Sequence, residues 1–324
     1  MTHFKFSSLL LIFFCTISCN SPKAPESIRN TFGEFNGSNI LLHSVDYQNA
    51  PIAKRIKHHP ENYTYLDQVE IHSMAYNSDS LMISGFMVQP KKPGKYPVII
   101  FNRGGNQELG RLLIASAVEI MAPFAAEGFV VVASNYRGNS GSEGKEEFGG
   151  ADVNDILNLI KHLGEIPKAD TANIALLGIS RGGMMNYLTL KKYQGSNIKA
   201  VASIGGVSDL GVTMQYHPEI EEVCKELIPD FNQQREESII QRSANYWPQL
   251  LPKIPYLIFH SKTDKHVHFS QAEILADSLK KHHYSVDFHL FEDDTHGLTA
   301  NREYVTTTIL NAFSEATETK NNSL

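Results

Sequence analysis

Cysteine is scarce in this chain: its 324 residues hold three, Cys15, Cys19 and Cys224. That is too few for a disulfide framework. Two of them fall within the first twenty residues, so the body carries one thiol and must rest on an apolar core. A chain of this length has ample material for one. Apolar runs long enough for a stable membrane span are missing too. So is any excess of positive charge, since 29 Lys and Arg against 35 Asp and Glu leave a formal charge of −6. Acidity spread along the chain, with aromatics not interleaved with basic residues, excludes a nucleic-acid footprint. No repeat at a solenoid or propeller period occurs.

The first residues form a unit of their own. Lys5 precedes the short apolar run Leu9-Leu10-Leu11-Ile12-Phe13-Phe14, followed by Thr16-Ile17-Ser18-Cys19-Asn20. A charged start and an apolar run of this length read as an export signal over residues 1–18. The end of the run resembles a bacterial lipobox, which implies lipid attachment at Cys19 and a mature chain that begins there. Each buried methylene of such a lipid contributes about 0.8 kcal/mol, so several acyl chains would hold the protein at a membrane. The expected location is the outer membrane or periplasm. Residues 19–40, polar and punctuated by Pro22, Pro25, Gly33 and Gly37, read as a tether.

Residues 60–320 read as one α/β domain. Two segments, residues 68–74 and 81–88, flank the turn Asn77-Ser78-Asp79-Ser80 and predict an antiparallel hairpin at a sheet edge. The runs 98–101, 130–133, 174–177, 200–202 and 256–259 are short and continuously apolar, as strands buried on both faces of a parallel sheet are. Helical patterns alternate with them over 111–127, 152–163, 183–193, 270–282 and 302–316. Residues 286–291 alternate polar and apolar, as an edge strand would. The interval 211–252 breaks the rhythm and reads as a helical lid over the carboxyl ends of the strands, where such sheets bind ligands. Tyr216 and Trp247 are its aromatic candidates for substrate contact, although Trp247 reads first as a packing residue.

Gly178-Ile179-Ser180-Arg181-Gly182 lies between an apolar strand and a helical segment. A sharp strand-to-helix turn of this kind strains the serine backbone and lifts its Oγ above the sheet. A serine nucleophile needs a base within reach and a third group that orients the base. Asp264, after the strand 256–259, and His296, after the strand 286–291, follow in the order serine, acid, histidine. Asp209 is the rival acid, and Asp293 and Asp294 read as solvated loop charges. The backbone N–H of Arg181 and the loop carrying Gly104 and Gly105 are the candidate donors for a developing oxyanion. His266 and His268 form an H-x-H pair but lack further ligands nearby, so no metal and no cofactor is expected.

These motifs carry a family resemblance. From about Tyr96 onward the chain resembles the catalytic domain of the prolyl oligopeptidase family of serine peptidases, within the α/β-hydrolase fold. The residues concerned are Asn135 to Gly141, Gly149 to Asp155, Gly178 to Gly183, Gly205 to Asp209, Arg242-Ser243, His260 to Asp264 and Thr295-His296-Gly297. The fold so implied has a mostly parallel central sheet with an antiparallel N-terminal edge hairpin, helices on both faces and the helical lid. The resemblance also implies structural roles for Arg137 and Asp152, as an ion pair. Two departures stand out. Residues before the hairpin are too few for the β-propeller of many members, and Arg103 occupies a loop where many carry an oxyanion-binding tyrosine. Arg103 is expected either to meet an anionic substrate group or to pair with an acidic neighbour. The implied activity is proteolysis through an acyl-enzyme on small peptides, with a carboxylesterase on small or carbohydrate-linked esters as the alternative. A surface binding module that has kept the fold without catalysis is the alternative of another class.

Overall fold

A computed structural model of the chain describes residues 28–317. The expected signal segment 1–18 and Cys19 lie outside the described residues. Nine strands form one sheet: β1 (Ile40–Ser44), β2 (Val69–Ser78), β3 (Leu81–Pro90), β4 (Tyr96–Asn102), β5 (Val130–Ser134), β6 (Ala169–Ile179), β7 (Ile198–Ile204), β8 (Tyr256–Ser261) and β9 (Val286–Phe291). Their spatial order is β1-β2-β3-β5-β4-β6-β7-β8-β9. The first three strands and the β3–β5 pair are antiparallel, and from β5 across to β9 every pair is parallel. This is the α/β-hydrolase arrangement.

The apolar runs have their physical reason in the two faces of the sheet. On β4, Val98 and Ile100 join one core while Ile99 and Phe101 join the other, and Val130, Val132 against Val131, Ala133 repeat this on β5. The helices Val153–His162, Arg181–Lys192 and Ser270–Lys281 cover the first face. The second is covered by Arg302–Thr317 and by a helical segment with a π-helical turn, Ala117–Met121, just ahead of Pro123. The hairpin turn uses Asp79 and Ser80, both with positive φ, which suits the twist of a tight two-residue connection.

Two expectations shift. The hairpin is one strand in from the edge, because β1 pairs outside β2. The segment read as a tether is docked from residue 28 onward: Ile28 is buried, Arg29 pairs with Glu143, and Phe32 stacks on His43 with 4.6 Å between centroids. Gly33 and Gly37, both at positive φ, act there as turn residues rather than as flexible spacers. Among the described residues no helix is long and apolar enough to cross a membrane.

Candidate active site

Ser180 stands between the end of β6 and the helix Arg181–Lys192 with φ +57° and ψ −124°. A non-glycine residue held there is strained, and its neighbours explain how the strain is held. A Cβ on Gly178 would lie 2.3 Å from Gly182 O, and one on Gly182 would lie 1.9 Å from Asn102 O. The turn closes only because both positions lack a side chain. Ser180 is locked by its own N–H to Ile204 O at 3.0 Å, and its carbonyl accepts from Val207 N–H at 3.1 Å.

Asp264 and His296 come from loops after β8 and β9. His296 Nδ1 lies 2.7 Å from Asp264 Oδ2, while Asp264 Oδ1 accepts the N–H groups of His266 at 2.8 Å and Val267 at 3.1 Å. One further partner escapes sequence reading. His260 Nε2 sits 3.2 Å from the same Oδ2 and 2.8 Å from Val267 O. Both are acceptors, so Nε2 carries a proton and shares it between them. Burial alone would push the Asp264 carboxyl up; the donors from His260, His296 and the His266 backbone hold it well below the usual carboxylate range.

With Asp264 on its Nδ1, the His296 ring leaves Nε2 free, and His296 and Ser180 line one cavity of about 420 Å³. Among the described residues no hydrogen bond yet joins Ser180 Oγ to the ring; such contacts are often long in a free enzyme and tighten with substrate. The rival Asp209 instead caps the helix Leu210–Tyr216, its Oδ1 accepting Val212 N–H at 3.1 Å. Asp294, read from sequence as a solvated loop charge, is buried and gathers the N–H groups of Thr295, Ala300 and Asn301, which fixes the loop that carries His296. His266 lines the cavity beside His296, whereas His268 stacks on Tyr216 with 3.9 Å between centroids.

The loop after β4 corrects the reading of Arg103. Its side chain is buried and donates to the carbonyls of Asn135 at 2.9 Å, Gly104 at 3.0 Å, Gln107 at 3.1 Å and Leu109 at 3.1 Å. Neither a substrate anion nor an acidic neighbour is its partner; the polypeptide's own carbonyls take its donors. Gly104 and Gly105 line the cavity, and a Cβ on Gly104 would lie 2.9 Å from Ser180 Cβ, which puts this loop against the serine. Arg181 is buried as well and pairs with Glu146 and Asp152. The expected Arg137–Asp152 pair is therefore not made. Arg137 binds Asp155, one helical turn on, at 2.7 Å, and Asp79 at 2.8 Å. Glu146 announced nothing in sequence, although its carboxylate also accepts Gln107 N–H at 2.7 Å.

The interval 211–252 folds into the helices Leu210–Tyr216, Glu219–Leu227 and Arg235–Gln241 with short turns after them. Leu210, Thr213, His217, Glu219 and Ile220 line the cavity together with Phe101 of β4, Leu112, Phe148 and Met184. The expected aromatic contacts lie elsewhere. Trp247 is buried, with its Nε1–H on Ile240 O at 2.8 Å and Lys191 Nζ 4.1 Å above its ring, so it packs the lid. Tyr216 is half-exposed against His268 and is not part of the cavity wall.

Comparison with known proteins gives the family and the class of enzyme. A sequence model of the prolyl oligopeptidase family matches residues 116–318, and the chain belongs to that family; it is a serine hydrolase. An uncharacterized peptidase of Bacillus subtilis, YtmA, is 29% identical over 228 residues, which cover 70% of this chain and 86% of that one. The acylaminoacyl peptidase of Pyrococcus horikoshii superposes with a TM-score of 0.67 at 24% identity over 82% of this chain, but over only 45% of its own length. An acetyl xylan esterase from Paenibacillus sp. R4 shares the fold at a TM-score of 0.62 and 16% identity, over 85% of this chain and 89% of that one.

Proposed function

We propose that Ser180, His296 and Asp264 form the catalytic unit of a serine peptidase that cleaves small peptides through an acyl-enzyme. The observation that carries this reading is the Asp264–His296 contact of 2.7 Å beside a strained Ser180, with both Ser180 and His296 on one cavity. Ser180 Oγ attacks the substrate carbonyl carbon while His296 Nε2 takes its proton, and Asp264 holds the resulting imidazolium. The oxyanion that forms is met by the Arg181 N–H at the start of its helix and by the 104–105 loop. Collapse expels the amine, which receives the proton from His296. Water then enters by the same route and releases the acid.

Ester cleavage is the second reading, because the same groups cut esters, whose leaving group needs less protonation. What favours it is the wall of the cavity: both arginines that line it among the described residues, Arg103 and Arg181, are engaged by protein groups, so neither guanidinium is available to hold a peptide carboxylate. Fluorophosphonate labelling mapped to Ser180, with a Ser180→Ala control, tests the shared mechanism. Turnover on matched amide and ester substrates separates the two readings: inactivity on every peptide ends the peptidase reading. The run Leu9–Phe14 and Cys19 support export and lipid anchoring. Incorporation of labelled palmitate that a Cys19→Ala variant loses is the expected result.

A further inference from the structure

We infer that Arg103, Arg181 and the Tyr136 hydroxyl act together as a brace that aims the N–H groups of Gly104, Gly105 and Asn106 into the active-site cavity. The inference rests on the acyl-transfer reading and adds to it the side chains that pre-set the second oxyanion donor.

Peptide planarity links each carbonyl of this loop to the N–H that follows it. Across a trans peptide the carbonyl of one residue and the N–H of the next point in opposite directions, so a side chain that fixes the carbonyl also fixes the N–H. Three successive carbonyls of this loop are held in that way. Arg103 O accepts the Tyr136 hydroxyl at 3.3 Å, Gly104 O accepts Arg103 Nη1 at 3.0 Å, and Gly105 O accepts Arg181 Nη1 at 3.0 Å. The N–H groups on the far sides of these three peptides belong to Gly104, Gly105 and Asn106.

Those three N–H groups donate to no protein atom among the described residues, and all three residues line the cavity with Ser180. Gly105 has φ +69° while Gly104 is not in the positive region. A left-handed residue in a turn lets successive N–H groups face one concavity that can bind an anion. All three residues are only partly buried, so the solvent of the cavity or a substrate oxygen can take these donors.

The brace is itself held from behind. Both guanidinium groups pack over the Tyr136 ring, Arg103 Cζ at 5.2 Å and Arg181 Cζ at 5.1 Å from its centroid. Tyr136 takes a positive φ of 65°, costly for a bulky residue, and Glu146 ties Arg181 to the next N–H, that of Gln107. Arg103 spreads its remaining donors over Asn135, Gln107 and Leu109 and anchors the loop at both ends.

The test compares wild type with Arg103→Met, Arg103→Lys and Tyr136→Phe on one ester substrate, with melting temperature measured for each. Affinity for phenylboronic acid, whose serine adduct carries the tetrahedral oxygen, is the readout that a merely structural role would not move. Arg103→Met is expected to lower kcat at least tenfold, towards the roughly 10²–10³-fold that loss of one oxyanion donor costs. KM should stay within about twofold, and boronate affinity should fall in step with kcat. Arg103→Lys should recover part of both. Tyr136→Phe removes one hydroxyl and decides the matter if Arg103→Met does not fold; it should weaken the boronate severalfold at nearly unchanged melting temperature. Folded variants with kcat and boronate affinity within twofold of wild type overturn the brace alone. A wild type that a fluorophosphonate never labels at Ser180 removes the acyl-transfer reading, and the brace with it.

Discussion

Asp264 accepts from four donors: His296 and His260 on one oxygen, and the His266 and Val267 N–H groups on the other. Because these hold its native titration below the ordinary carboxylate value, the stability they contribute is fully present above that value and is lost as pH falls through the native one. An Asp264→Asn variant should therefore melt lower than wild type at neutral pH, and the gap should narrow as pH drops below the carboxylate range. Its kcat should fall by about 10⁴, as in the known serine-protease case where the same change leaves the wrong histidine tautomer. His260→Phe removes a donor to a charged group, which costs about 1.5–3 kcal/mol of stability. It also lets Asp264 take up a proton sooner, so acid unfolding should begin at a higher pH than in wild type. Both shifts are read from melting curves at stepped pH. The positions of Ser180, Asp264 and His296 after β6, β8 and β9 were legible because each follows a strand with a clear apolar signature. Arg103 was misread for a physical reason: its partners are carbonyls of its own loop and of Asn135, and backbone acceptors leave no trace in a pattern of side chains.

At the scale of elements, the central strands were legible because burial on both faces forces continuous apolar runs. β1 was not, since it is five residues long, only Ile40 is buried, and His43 and Ser44 are exposed. Gly33 and Gly37 misled in the opposite direction, because glycine at a fixed turn and glycine in a loose spacer look alike in composition. The elbow offers the sharpest test of packing. The helix Arg181–Lys192 approaches β4 so closely that a Cβ on Gly182 would overlap Asn102 O at 1.9 Å. Gly182→Ala must push the helix start away from β4 and with it the Arg181 N–H. Overpacking of this kind costs about 1–3 kcal/mol, and the variant should lose fluorophosphonate labelling at Ser180 while its far-ultraviolet circular dichroism stays native.

Across the whole molecule, the N-terminal segment and the catalytic loops are far apart in function, although one chain ties them. Ile28 packs with Ala75 and Met82 on β2 and β3, and Arg29 holds Glu143 at 2.5 Å. Ile28→Asp should undock this segment by burying an unpaired charge. Trypsin should then cut after Arg29 faster than it does in wild type, while kcat/KM stays within about twofold. Loss of activity on undocking would show that the edge of the sheet supports the site after all.

The proposed catalysis requires Ser180, His296 and Asp264 to act as one unit. Its most direct measurement is kcat/KM for Ser180→Ala, His296→Ala, Asp264→Asn and the triple variant on a single substrate. Residues that act as a unit are strongly non-additive, so the triple variant should be hardly worse than Ser180→Ala or His296→Ala alone. Losses that multiply across the three sites, or a folded His296→Ala variant with near wild-type turnover, would contradict it.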